Sequence, residues 1–285
     1  MRHAILGAGG IGGLLSAALA RAGAQVILLM REETLASYTG SVSVESVVLG
    51  DFTVDVAAAP RLDGVVDVLW VTTKAPQLES GLGLAAPEQV GDATVVPLLN
   101  GVDHVSLLRT RYRSVVPGAI RVASERLADG RIRQSSPFLR VDLAGAPAIA
   151  AELRSAGIDA RSQEDELSLL WEKLAFLAPL ALATAALDAT LGGVRGDGRY
   201  RGCQQEAIAV GRAEGARLDE HALYELAANA PDEMRSSLQR DVAARRPNEL
   251  EAIAGPIQRG GRRHSIPVPN TEQLARLVAA RAEEN

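Results

Sequence analysis

The stretch HAILGAGGIGGLLSAALARAG, His3 to Gly23, decides the fold. Ala4, Ile5 and Leu6 form a short apolar run that meets glycine at once. That is how a buried strand ends in a tight turn. Gly7, Gly9 and Gly12 then stand in the spacing G-x-G-x-x-G. The segment that follows is rich in alanine and leucine, which predicts a helix stopped by Gly23. Strand, glycine loop and helix together are the context in which this spacing binds a dinucleotide. Gly7 permits the turn, Gly9 lets the backbone approach a pyrophosphate, and Gly12 lets the helix pack closely on the strand. The N–H groups at Gly10 and Ile11 complete the loop, and the positive end of the helix dipole faces the phosphates.

Working outward, AQVILLMR, VDVLWVTTKA and ATVVPLLNG read as further buried strands. Buried strands joined by helices imply an α/β domain, with a doubly wound parallel sheet of Rossmann type. SVVPGAIRVASERL, GRIRQSS and FLRVDLAG look like shorter strands, antiparallel where Asp129-Gly130 turns the chain. From Asp165 onward every segment reads as helix. The expected division is therefore a dinucleotide-binding domain over 1–164 and an all-α domain over 165–285. Its apolar run from Leu174 to Leu187 contains Pro179. It is expected to be a buried helix, kinked or started near the proline and too short to cross a bilayer.

Composition narrows the function. The 285 residues carry a net charge of −5, against a general nucleic-acid binder. The arginines at 259, 262 and 263 are expected to be a solvated helix face. One cysteine, Cys203, excludes an intramolecular disulfide; it fits a reducing, cytoplasmic setting and inert packing. The four histidines have no metal-ligand spacing, so no metal is expected. No signal peptide is expected, since the first apolar run is far too short.

Two of the 30 basic residues are lysines, Lys74 and Lys173, which leaves 28 arginines. A chain that uses arginine for surface charge keeps lysine where arginine will not serve. Arginine does not release its proton in proteins, whereas a desolvated lysine can act as acid or base. Lys173 stands at the edge of the most apolar helix, which suits that use; the bland reading is a lysine that snorkels to water. Lys74 ends a strand and Asn100 the next, and the carboxyl ends of parallel strands face the ligand crevice. Asn100 also suits a plain turn before Gly101. Arg31 ends the second strand, where an NAD site has a carboxylate. A guanidinium there favours the 2′-phosphate of NADP, while Glu32 and Glu33, one residue on, would suit NAD.

GAGGIG, Arg31, TTK at Lys74, NG at Asn100, WEKL at Lys173, SS at Ser236-Ser237, NELEAIAGPI at Glu249 and RRHSIPVPNT stand in this order along nearly the whole chain. The set resembles the ketopantoate reductase (2-dehydropantoate 2-reductase) family. The resemblance implies a Rossmann domain, a helical domain and an active site in the cleft between them. It implies NADPH-dependent reduction of a 2-oxo acid to a 2-hydroxy acid, 2-dehydropantoate to pantoate in the first instance. It implies Lys173 as the acid, Glu249 as a catalytic residue holding cofactor and substrate, Ser237 on the substrate and Asn100 on both ligands. Ser124, in the stretch GAIRVASE, joins the cofactor contacts. Read alone, Glu249 could be a capping-box or solvated residue and Ser237 a helix N-cap. The family's asparagines one and two turns beyond the lysine are here Leu177 and Ala181. The substrate wall is thus expected to be apolar, which admits a bulkier 2-oxo acid as substrate. A non-catalytic NADP(H) sensor is the reading from another class. The alanine-rich helices could also build a homodimer face.

Overall fold

The computed structural model describes residues 1–284. The chain divides into two compact units. One comprises Met1–Leu99 with His104–Glu166, and the other Asn100–Asp103 with the chain from Leu167 onward.

The first unit is built on six parallel strands in the order Ala57–Ala59, Gln25–Leu29, Arg2–Leu6, Val68–Val71, Thr94–Pro97, Ser114–Val115. In chain order these are third, second, first, fourth, fifth and sixth. The strand order therefore reverses between Arg2–Leu6 and Val68–Val71. Ligands of doubly wound sheets bind at such a switch point, outside the carboxyl ends of the strands. The apolar runs form strands because both faces are covered; all four residues of Val68–Val71 are buried. The strand expected in ATVVPLLNG ends at Pro97, and Asn100 lies in the helical unit.

Two smaller sheets complete this unit. One runs Ser124–Arg126, Ile132–Gln134, Ser41–Ser46, Phe52–Asp55, with the expected antiparallel turn at Asp129-Gly130. The other runs Asp159–Gln163, Arg140–Ala144, Gly118–Arg121, and its outer pair with Asp159–Gln163 is parallel.

A polar chain, buried at Trp70 and His3, starts from the first strand. Trp70 Nε1 donates to His3 Nδ1 at 3.1 Å, and His3 Nε2 meets Glu152 Oε1 at 3.0 Å. The indole can only donate, so the geometry assigns the His3 proton to Nε2, which donates to Glu152. Burial holds the imidazole below its ordinary value, outweighing the hydrogen bond to Glu152.

The second unit is helical. Its central helix, Glu166–Leu187, runs unbroken through Pro179, so the proline does not start it. With 22 residues it is long and apolar enough to cross a membrane by length and composition, contrary to the expectation from the apolar run alone. Of its most apolar window 83% is buried, which is the situation of a core helix. Cys203 is enclosed in the same core, where burial pushes its thiol up to about 12. The basic run is not simply solvated: Arg259 pairs with Asp103 and Glu251, and Arg263 with Glu214.

Candidate active site

The glycine loop follows the strand Arg2–Leu6 and opens the helix Gly10–Arg21. Gly7 takes φ +106°, a conformation that L side chains rarely adopt. A Cβ on Gly12 would lie 1.9 Å from the Gly7 carbonyl oxygen, so helix and turn are in contact at this point. A Cβ on Gly9, the N-cap, would meet no atom within 4 Å. The loop is thus closed on its protein side and open on the other. Gly13 N–H makes the helix's first bond, to Gly9 O at 2.8 Å, and the N–H groups before it project from the helix end.

Two hydroxyls brace the loop. Thr72 Oγ1 donates to the carbonyls of Leu6 and Gly7, at 3.0 and 2.9 Å. Ser124 Oγ donates to Gly10 O at 2.9 Å. Ser124 therefore holds the loop backbone. Ile11 is half-buried and packs toward the sheet core.

A pocket of about 280 Å³ opens beside the loop, lined by Gly7, Ala8, Gly9, Arg31, Thr34, Lys74, Gln77 and Arg126 among others. Three cations and a row of backbone N–H groups around an open glycine fit a phosphate-bearing dinucleotide. Arg31 and Lys74 do not end their strands, which stop at Leu29 and Val71; both lie in the loops that follow. Glu32 and Glu33 begin a short helix, Glu32–Leu35, and do not line the pocket.

The other predicted residues lie in the helical unit. Lys173 is 9% exposed, the one cation of the helix Glu166–Leu187. Glu249, also buried, occupies the N-cap position of the helix Leu250–His264. Its side chain makes no capping bond there; instead Asn100 Nδ2 donates to Glu249 Oε2 at 2.8 Å. The local capping bond comes from Asn248, whose Oδ1 accepts from Leu250 N at 3.1 Å. So Glu249 is neither a capping-box residue nor a solvated one. A charge-assisted bond of this kind is worth about 1.5–3 kcal/mol.

The segment Asn100–Asp103 is fastened to that helix at three points. Besides the Asn100–Glu249 bond, Gly101 packs against the backbone of Ala252, and Asp103 pairs with Arg259. The Arg259 guanidinium lies across Gly255, where a Cβ would come within 2.7 Å of both terminal nitrogens.

Of the adjacent serines, Ser236 is the N-cap of the helix Ser237–Ala243, accepting from Gln239 N at 3.0 Å. Ser237 is the first helical residue and half-buried, so the N-cap reading belongs to its neighbour. Leu177 is half-buried at the edge of the helical core. Ala181 is 1% exposed, inside that core.

Sequence reasoning passed over Thr72 and Arg126. Thr72 carried a signal, standing two residues before Lys74 in TTK. Arg126 carried none, being one of 28 arginines until the fold brought it to the pocket.

Comparison with known proteins identifies the family. A family model described as ketopantoate reductase PanE/ApbA matches residues 3–143, and the model of its C-terminal part matches residues 166–282. The 2-dehydropantoate 2-reductase of Caulobacter vibrioides is 31% identical over 98% of both chains. That of Mycobacterium tuberculosis is 31% identical over 80% of this chain and 81% of its own. The crystal structure of a PanE/ApbA family ketopantoate reductase from Ralstonia eutropha aligns with a TM-score of 0.88 at 28% identity, covering 100% of this chain and 99% of that one. D-mandelate dehydrogenase, solved with NADH and anilino(oxo)acetate, also aligns at 0.88, with 19% identity over 100% of this chain and 99% of its own; this is a likeness of fold alone.

Proposed function

Since the chain belongs to the ketopantoate reductase family, we propose that it reduces 2-dehydropantoate to pantoate with NADPH. The family uses NADPH, and the bound nicotinamide supplies the hydride.

The observation that carries the reading is the enclosure of Lys173. Burying an ammonium costs free energy unless it is compensated, a cost that a surface arginine does not carry, and Lys173 is 9% exposed. The proposed return is a proton placed where it is needed. As hydride reaches C2 of the oxo acid, the carbonyl π bond breaks and charge develops on oxygen. Lys173 Nζ gives that oxygen its proton and is reprotonated from water after product leaves. A positioned acid contributes typically 10²–10⁴-fold. Glu249, oriented by Asn100, fixes the hydroxyls of substrate or cofactor, and Asn100 Oδ1 adds an acceptor. Ser237 receives the carboxylate end. Gly7 to Gly12 bind the pyrophosphate, with Arg31 and Lys74 among the three cations of the same pocket.

The test follows NADPH absorbance with 2-dehydropantoate, for wild type and Lys173→Ala. The expected result is a fall in kcat of about 10²–10⁴-fold with the NADPH Kd unchanged. Unaltered turnover in the variant would remove Lys173 from the chemistry. Tight NADPH binding with no turnover on any 2-oxo acid would favour a sensor.

Leu177 favours a second reading. It stands one turn from Lys173 on the same helix face and offers a substrate hydroxyl no hydrogen bond. A site without such partners loses selectivity for hydroxylated substrates. A branched or aromatic 2-oxo acid with higher kcat/KM than 2-dehydropantoate would establish this reading, and the opposite ranking would dismiss it.

A further inference from the structure

We propose that Arg126 is a second cofactor-specificity residue, which together with Arg31 clamps the 2′-phosphate of NADPH. The proposal rests on the use of NADPH by this chain. It assigns a role to a residue that reaches the pocket from a different sheet.

Arg31 arrives at the pocket from the end of the second strand of the main sheet. Arg126 arrives from the hairpin Ser124–Arg126 and Ile132–Gln134, and lines the same pocket. Its Nη1 lies 3.4 Å from the carbonyl of Ala8 in the glycine loop, a long contact that locates the guanidinium and commits few of its donors. Among the described residues neither Arg31 nor Arg126 has a carboxylate partner. Arginines elsewhere, such as Arg121, Arg140 and Arg199, are tied to aspartates. Two guanidiniums without carboxylate partners in one pocket suit a bound dianion.

The hairpin that carries Arg126 is held against the loop. Ser124 Oγ bonds Gly10 O, and a Cβ on Gly10 would lie 2.5 Å from Ser124 O and 2.7 Å from the Glu125 backbone. The base of the side chain is therefore fixed relative to the phosphate-binding turn, which limits the ordering needed on binding. A phosphate monoester supplies the charge and acceptors that two arginine forks match. NADH has a hydroxyl at that position, so a clamp of this kind separates the two cofactors. An arginine on the shared pyrophosphate would not.

The experiment measures Kd for NADPH and NADH by fluorescence titration, with wild type, Arg126→Gln and Arg31→Gln, and thermal melts to confirm folding. Expected are a loss of about 10- to 100-fold in NADPH affinity for Arg126→Gln, an NADH affinity within about threefold of wild type, and a weaker salt dependence of NADPH binding. Equal weakening of both cofactors would overturn the proposal and place Arg126 on the loop or the pyrophosphate. So would no change in either. Failure of the NADPH reading itself has a different signature, a wild-type protein that binds NADH as tightly as NADPH. Should Arg126→Gln fold poorly, Arg126→Lys gives the second test. It keeps charge and loses the fork, and the expected affinity lies between wild type and Arg126→Gln; an NADPH/NADH ratio equal to wild type would overturn the clamp.

Discussion

Substituting Gly101 by alanine tests the fastening of Asn100 to Glu249. Gly101 has φ +82°, where an L side chain costs about 1–2 kcal/mol. The new Cβ would also lie 2.2 Å from Ala252 O and 3.1 Å from Ala252 C, well inside van der Waals contact. Both atoms are helix backbone and cannot swing aside. The segment Asn100–Asp103 must lift by more than about 1 Å, and overpacking of this sort costs about 1–3 kcal/mol. The expected loss is therefore about 2–5 kcal/mol. Gly23→Ala supplies the control, because Gly23 has φ +89° and a Cβ there meets nothing within 4 Å. It should lose only the first contribution, about 1–2 kcal/mol. Urea denaturation at constant m measures both. The lift also draws Asn100 away from Glu249, so kcat/KM should fall for Gly101→Ala and hold for Gly23→Ala. Equal destabilisation of the two variants, with normal kinetics in both, would refute the idea that this contact orients the pair.

Two further expectations concern pH. Burial pushes the Cys203 thiol up to about 12 from 9.0, so the folded protein keeps a proton that the unfolded chain gives up. Stability from this source is complete below pH 9 and is lost as pH rises toward 12, at up to about 1.4 kcal/mol per pH unit. Urea midpoints at pH 8 and 10.5 should diverge less in Cys203→Ala than in wild type, and native protein at pH 8 should resist thiol reagents. For His3 the sign is reversed: burial lowers its value from 6.5, so the unfolded chain takes up the proton first. Stability is complete above pH 6.5 and declines below it, and a His3→Gln variant should show a flatter profile between pH 7 and 5 in urea titrations.

The dinucleotide half of the molecule was legible because its signals are local. His3 to Gly23 holds strand, turn and helix in consecutive residues, and the apolar strands announce burial on both faces. The strand Asp159–Gln163, DARSQ, has no such signal; two of its five residues are charged, and its parallel pairing with Arg140–Ala144 depends on a distant segment. Glu249 could be singled out by resemblance, yet its physical state could not be read, since its partner Asn100 lies 149 residues away. Pro179 does not begin the helix, because surrounding core contacts carry the helix through the missing N–H. Of Ser236 and Ser237, only the observed helix start decides which one caps.

Four residues, 100 to 103, make the molecule hard to dissect. The polypeptide leaves the sheet unit after Leu99, contributes that short loop to the helical body, returns at His104 and departs again after Glu166. No single scission yields both bodies whole. A fragment stopping at 166 would carry Asn100 and Asp103 stripped of Glu249 and Arg259, while the complementary piece would hold a carboxylate bereft of its amide. Grafting one half onto a foreign partner therefore requires transplanting the loop as well.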